Sequence, residues 1–385
     1  MSKRLGVIWD ADPHTIAKIA ILKNYLHAWF RILGKTRRGQ TLLYVDGFAG
    51  PGYYKNHPEG SPLAALNTAV EALADLGQSC AAREIHCAFI EKEKARFQEM
   101  SESVEPFVGH PRLGVTRVQG EFVAGIDDVR KRVPGPFRGE GPLFVFADPF
   151  GGTGIPLKTF VECMKADSAE LLINLDADGI GRIFAAETNI GRDAQLTELF
   201  GSECWRERLT ARGDMKQLSL QILDLYKEQL RAIPQVRFIW SFAMRGRGDA
   251  LNYHLVFASK HPLGLQKMKE AMKQIDKSGA YSFSDAHINQ HALFQTDDAP
   301  VFAEEMFRRF DGNEVPMEEV TLYALNETPF LNAKAMLAEL NASERIRVIP
   351  HHGQEIRAGS FPEERIRAIQ FGRFSFAGKQ VELGF

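Results

Sequence analysis

The sequence predicts an α/β protein: a mostly parallel, doubly wound, Rossmann-like sheet with an antiparallel hairpin at its end, followed by a C-terminal winged-helix-like domain. Three observations predict it. Between residues 41 and about 175, short apolar runs alternate with amphipathic segments, the order of a parallel sheet with helical crossovers. Two further apolar runs, 235–244 and 251–259, are separated only by RGRGDA, which suits a hairpin. From about residue 300, three helical segments precede two short strands around a polar loop, the plan of a winged helix-turn-helix. The domains are accordingly 1–295, with a helical insertion near 180–215, and 300–385.

A chain of 385 residues with 44% hydrophobic and 25% charged residues has ample material for one large and one small globular domain. Its net charge of −2 excludes global basicity, so any nucleic-acid contact must come from a local patch. The four cysteines (Cys80, Cys87, Cys163, Cys204) form no C-x-x-C pair or zinc spacing, and so few fit a reducing compartment. No apolar run reaches membrane-spanning length and the N-terminus lacks a signal-peptide core. The expectation is a cytoplasmic protein with no metal.

The elements follow in order. Residues 13–33 place Ile16, Ile19, Leu22, Leu26, Trp29 and Phe30 at helical spacing. TLLYV (41–45) is a buried strand. Ser61 as N-cap and Pro62 at the first helical position open the next helix, which Gly77 ends. Strands over 84–91 and 113–118 alternate with helices over 92–104 and 122–133. The strand in GPLFVFADPFG (141–151), a helix beginning at Pro156 and a strand over 169–175 complete the alternation. In the tail, Thr328 and Pro329 open the third helix.

The chemistry gathers at strand ends. YVDGFAGPGYY ends a strand in Asp46 and follows it with Gly47, Gly50 and Gly52. The turn after the first strand of a doubly wound sheet is the usual ligand cradle, and glycines there admit close backbone approach. Glu91 ends the second strand, Glu121 follows the third and Asp148 ends the fourth, so four strands bring acids to one edge. A nicotinamide dinucleotide fits poorly: the spacing is G-x-x-G-x-G, and Glu91 lies 39 positions beyond Gly52 instead of about 20. A ligand with amine, ribose and adenine groups suits the acids better. S-adenosylmethionine is such a ligand, with Asp46 at its amine, Glu91 at the ribose, and Glu121 and Phe122 beside the adenine. In ADPFGG, Asp148 and the Pro149 carbonyl can accept hydrogen bonds from an exocyclic amine. The Phe150 ring can carry a flat base.

The segments HTIAKIAILKNYLHAW, YVDGFAGPGYY, EGSPLAAL, DPFG, LLINL and YHLVFASKHPLG together resemble the three-Cys-motif partner proteins, the TcmP family. The likeness spans roughly 13–270 and more weakly the tail. It implies a class I methyltransferase-like core acting beside a partner that carries three cysteines. It also implies S-adenosylmethionine binding at Asp46, Gly50, Gly52 and Glu91, with Phe48 in the same loop. The D-P-F-G of Asp148, Pro149, Phe150 and Gly151 is similar to the motif of tRNA guanine-N2 methyltransferases; Phe150 and Gly151 stand where adenine-N6 enzymes have Pro and Tyr. The expected function is methylation of an exocyclic amine of a base in RNA or DNA; a non-catalytic nucleic-acid or protein-binding module on the same fold is the alternative.

Candidate substrate contacts are His14 and Lys18, which share a helix face with Tyr25, and Asn174 and Arg182 near the fifth strand's end. Arg245 and Arg247 in the hairpin are further cations. The tail from 326 to 385 balances eight Lys and Arg against seven Asp and Glu, but Arg345, Arg347, Arg357, Arg365 and Arg367 cluster around the wing.

Overall fold

A computed structural model describes residues 6–186, 191–245, 251–276, 282–284 and 298–374. The chain divides into two compact units, residues 1–292 and 293–385.

In the first unit, β1 (Thr41–Asp46), β2 (Glu84–Glu91), β3 (Leu113–Gln119), β4 (Leu143–Ala147) and β5 (Ala169–Leu175) are parallel. β7 (Leu251–Ser259) runs antiparallel beside β5, β6 (Phe238–Arg245) pairs antiparallel with β7, and β8 (Ser282–Ser284) adds a short parallel edge to β6. The order β3-β2-β1-β4-β5-β7-β6-β8 contains the seven-stranded arrangement of the class I methyltransferase sheet. Strand order reverses between β1 and β4, which places the ligand crevice of such a sheet at their carboxyl ends. Every residue of β1, β4 and β5 is buried because helices cover both faces, and these strands therefore read as unbroken apolar runs.

The helices of this unit are α1 (Pro13–Thr36), α2 (Ser61–Leu76), α3 (Lys94–Val104), α4 (Phe122–Arg132), α5 (Pro134–Phe137), α6 (Leu157–Cys163), α7 (Ala177–Ala185), α8 (Arg192–Phe200), α9 (Trp205–Arg208), α10 (Met215–Arg231) and α11 (Pro262–Ile275). α7, α8 and α9 fill the region expected to hold a helical insertion. α2 begins one residue earlier than expected. Gly60, not Ser61, is its N-cap, and the position has no room for a side chain: a Cβ at Gly60 would lie 2.6 Å from the Gly52 carbonyl oxygen.

α1 crosses one face of the sheet and is pinned at two points along it. Tyr25 Oη and Trp29 Nε1 donate to Glu170 Oε2 at 2.6 and 2.8 Å near the start of β5. Seven residues before Tyr25, Lys18 pairs with Asp148 beyond the end of β4. The spacings agree: seven helical residues rise about 10 Å, and Glu170 to Asn174 along β5 is about 13 Å.

In the second unit, α12 (Ala299–Phe310), α13 (Met317–Glu327) and α14 (Lys334–Ala342) accompany an antiparallel sheet of β9 (Glu314–Pro316), β11 (Ile366–Phe371) and β10 (Ile346–Pro350). β9 is an addition to the expected two-stranded wing. Thr328 does not open α14. It caps the end of α13, its hydroxyl donating to the Ala324 carbonyl at 2.6 Å, and α14 starts only at Lys334 after a turn. The Thr-Pro signal loses here because the hydroxyl satisfies an orphan carbonyl at a helix end instead. Two of the arginines expected around a wing are already held by acids, Arg345 by Glu304 and Arg367 by Glu314.

Candidate active site

The loop after β1 crosses the carboxyl ends of its neighbours. Gly47 N donates to the Phe146 carbonyl at 2.8 Å and Ala49 N to the Ile90 carbonyl at 2.9 Å. Gly50 adopts φ +63° and donates its N–H to Glu91 Oε2 at 2.9 Å. Gly52 adopts φ +91°, and a Cβ there would sit 2.3 Å from Ser103 Oγ. Both positions therefore require glycine. Glu91 Oε1 accepts from Glu93 N at 2.7 Å, so the carboxylate is held rigidly, with lone pairs left over on both oxygens.

Asp46 is fully buried. Its Oδ1 accepts from Phe48 N at 3.1 Å; the Ser61 and Tyr44 hydroxyls lie near enough to the carboxyl to influence it, but Oδ2 makes no hydrogen bond of good geometry. Burial pushes the carboxyl up to about 7; Asp148 and Glu91 push the same way, and Ser61 and the Phe48 amide oppose them. A buried acceptor left unpartnered costs about 1–3 kcal/mol, and a donor on a ligand would remove that cost. Phe48 and Phe122 stack at 5.3 Å with 21° between their planes.

Glu121 is placed differently from the other three acids. It lies at the start of α4, largely exposed, paired with Lys92 at 2.7 Å, and that ion pair lowers its pKa. Its neighbour Phe122 is buried.

Asp148 joins three elements. Its Oδ2 takes the Lys18 ammonium, and its Oδ1 accepts from Asn174 Nδ2 at 2.6 Å. Lys18 and Asn174 are both buried. The Lys18 ammonium lies 5.4 Å from the centre of the Tyr253 ring, within cation–π range. His14, one turn earlier on α1, places its ring 5.9 Å from that of Tyr253. His14 and Lys18 are thus part of the interior, not a solvated helix face, while Tyr25 belongs to the opposite edge of the sheet.

Phe150 is 60% exposed. The Arg96 guanidinium lies 5.0 Å from its ring and 4.8 Å from that of Trp9, and Trp9 meets Tyr54 edge-on at 5.5 Å. The segment carrying Trp9 is strapped down by Lys55 N to the Trp9 carbonyl and by a reciprocal pair between Ala11 and Asn56. Gly151 follows with φ +93°. Arg182 projects from α7, mostly exposed and paired with Asp178 at 2.8 Å. Arg245 ends β6; Arg247 lies outside the described residues.

Trp9, Tyr54, Arg96 and Tyr253 were not legible as site residues. Tyr54 closes the glycine-rich motif and Tyr253 opens the last segment of the family resemblance, which were usable signals; Trp9 and Arg96 come from segments with no motif.

A cavity of about 390 Å³ opens away from these residues, at the other edge of the sheet, between α1 and the start of α11. Glu170 lies in it, but Tyr25, Trp29 and Ser259 all donate to its carboxylate, which makes it a structural anchor. Among the described residues no group of three or more His, Cys, Asp and Glu could hold a metal ion, and no helix is long and apolar enough to cross a membrane.

No family model and no curated protein matches this chain. Solved structures with a similar fold include Trm1 from Pyrococcus horikoshii in complex with S-adenosyl-L-methionine, at 12% identity and TM-score 0.35, covering 69% of this chain and 61% of that one. An O-methyltransferase from Bacillus cereus in complex with SAH matches at 11% identity and TM-score 0.34, covering 65% and 83%. The O-methyltransferase TomG from Streptomyces achromogenes in complex with SAM matches at 14% and 0.32, covering 66% and 92%. At scores of this size the fold assignment stands on the strand order, not on the resemblance.

Proposed function

We propose that the protein is an S-adenosylmethionine-dependent methyltransferase acting on an exocyclic amine of a base in nucleic acid, beside a three-Cys-motif partner protein. The observation that carries the reading is the buried, unpartnered Oδ2 of Asp46 at the switch point of the sheet. It lies next to a glycine loop whose backbone is tied to Glu91. A cationic amine and a vicinal diol would satisfy those two acids, and S-adenosylmethionine carries both. Asp46 would hold the amine, Glu91 the ribose hydroxyls, and Phe48, Phe122 and the adjacent Glu121 would flank the adenine, with Gly50 and Gly52 leaving room for the nucleoside.

When bound, that cofactor supplies an electrophilic methyl group. The chain's residues then have to orient an acceptor nitrogen and remove its surplus proton. Asp148, anchored by Lys18 and Asn174, is the base, and the Pro149 carbonyl is a second acceptor. Phe150 with Arg96 offers a stacking platform for a flat ring. The nucleic-acid component rests on the D-P-F-G resemblance, this platform and the arginines of the tail, and the partner component on the resemblance to the three-Cys-motif partner proteins.

Titration calorimetry with S-adenosylmethionine tests the reading directly. Micromolar binding to wild type and a loss of at least about tenfold in Asp46→Ala are expected; absence of heat from folded wild-type protein refutes it. Transfer of tritiated methyl to total RNA or DNA, with and without the three-Cys-motif protein, separates an enzyme from a non-catalytic module.

A further inference from the structure

We infer that Asn174, through its side-chain carbonyl oxygen, receives one N–H of the acceptor, so that the site selects a primary amine over a ring nitrogen or a hydroxyl. This rests on the methyltransferase reading for the identity of the site, but the contact is argued from the chain itself.

Asn174 and Glu170 are the two polar residues of β5. Four positions apart, they share the sheet face crossed by α1. Glu170 is saturated by three donors, whereas Asn174 is only half satisfied. Its Nδ2 donates to Asp148 Oδ1, and its Oδ1 is buried without a hydrogen-bond partner. The orientation of the amide is not arbitrary. An ionised carboxylate only accepts, so the NH₂ end must face Asp148. The planar amide then directs Oδ1 away from Asp148, fixed by the same bond. An amide oxygen at 7% residue exposure with nothing donating to it is a standing cost, as with Asp46 Oδ2, and buried polar groups are ordinarily satisfied.

Asp148 is already engaged on both oxygens, by Asn174 and by Lys18. It keeps lone pairs for one further contact but cannot turn to follow a substrate. The fixed carboxylate and the buried amide oxygen, linked through the Asn174 Nδ2–Asp148 Oδ1 hydrogen bond, are two hydrogen-bond acceptors at the ends of neighbouring strands. Both are satisfied together by a nitrogen carrying two hydrogens, as on guanine, adenine or cytosine. A ring N–H or a hydroxyl satisfies one and strands the other.

The test uses full-length protein saturated with S-adenosylhomocysteine and free nucleosides in pairs differing by the amine: guanosine against inosine, and cytidine against uridine. Binding is read by saturation-transfer NMR and calorimetry. Wild type is expected to prefer the amine-bearing member of at least one pair by about tenfold or more, since a site built around a donor rejects the analogue lacking it. Asn174→Ala should reduce that preference to within about threefold while leaving S-adenosylhomocysteine affinity unchanged. Equal affinity for both members of both pairs in wild type, or no nucleoside binding at all, overturns the inference without any variant. So does a preference that survives in a folded Asn174→Ala protein. Loss of homocysteine-nucleoside binding with the amine preference intact would instead strike at the cofactor assignment and leave Asn174 in its role.

Discussion

Asp46 carries a pH signature. Its folded-state carboxyl is raised from 3.8 to about 7 by burial, so between those values the folded protein holds a proton that the unfolded chain has released. The stabilisation is full below about pH 4 and is lost as pH rises through about 7. Urea unfolding of ligand-free protein from pH 4.5 to 7.5 should show this falling contribution, and Asp46→Asn should flatten it; identical slopes would show that Asp46 does not titrate there. If ionised Asp46 holds a cationic amine, S-adenosylmethionine affinity should rise by up to about tenfold per pH unit below 7. The Lys18–Asp148 pair makes a second test. Lys18 is buried and Asp148 partly so; removing Asp148 strands the buried ammonium and costs up to about 3 kcal/mol, whereas replacing both is far milder. Asp148→Ala should abolish methyl transfer, with donor affinity within about threefold of wild type, yet also lower the urea midpoint. Lys18→Met combined with Asp148→Asn should recover most of that midpoint but no transfer. A double variant as unstable as the sum of its parts would mean the two residues are not coupled.

At the scale of elements, α1 matters most because it brings Lys18 to the strand ends and anchors itself on Glu170 at the other edge. Glu170→Ala leaves the Tyr25 hydroxyl, the Trp29 N–H and the Ser259 hydroxyl without their shared acceptor. A loss of about 2–4 kcal/mol is expected in chemical denaturation, together with weaker transfer, since Lys18 depends on the seating of α1; unchanged stability would disprove the anchor. The loop after β1 is equally constrained. Gly52→Ala combines a positive φ with a clash against Ser103, and should weaken S-adenosylmethionine binding at least about tenfold, readable by calorimetry. In α14 the local pattern misled: Thr-Pro is a helix-opening signal, but the Thr328 hydroxyl found a closer use on the Ala324 carbonyl of the preceding helix.

For the whole molecule, the two units have separate cores, and the second has its own cluster around Met306, Val320, Leu337 and Ile369. The cysteines report on the first unit. Cys80, Cys87 and Cys163 are buried while Cys204 is partly exposed, and burial pushes the Cys163 thiol up to about 12. One thiol should react quickly with Ellman's reagent in native protein and four after unfolding; a second fast thiol would mean that the packing around Cys80, β2 or α6 opens readily. The sheet was legible in the sequence because its strands are buried on both faces and its helices on one, and those two periodicities survive in any tertiary context. The acids at strand ends were legible too, since a strand that stops in a carboxylate before a glycine turn leaves few places for the side chain to go. The sequence by itself thus determined the layer order, the carboxylates of Asp46, Glu91 and Asp148 at the ends of their strands, and the glycine turn at Gly50 and Gly52 beside them. Only the tertiary structure decided that Lys18 lies on Asp148, that Glu121 turns outward to Lys92, that Trp9 and Arg96 border Phe150, and that Asn174 keeps an acceptor in reserve. Each of those depends on segments distant along the chain meeting across the sheet, and the energy of such a contact depends on burial and distance, which no local pattern of residues encodes.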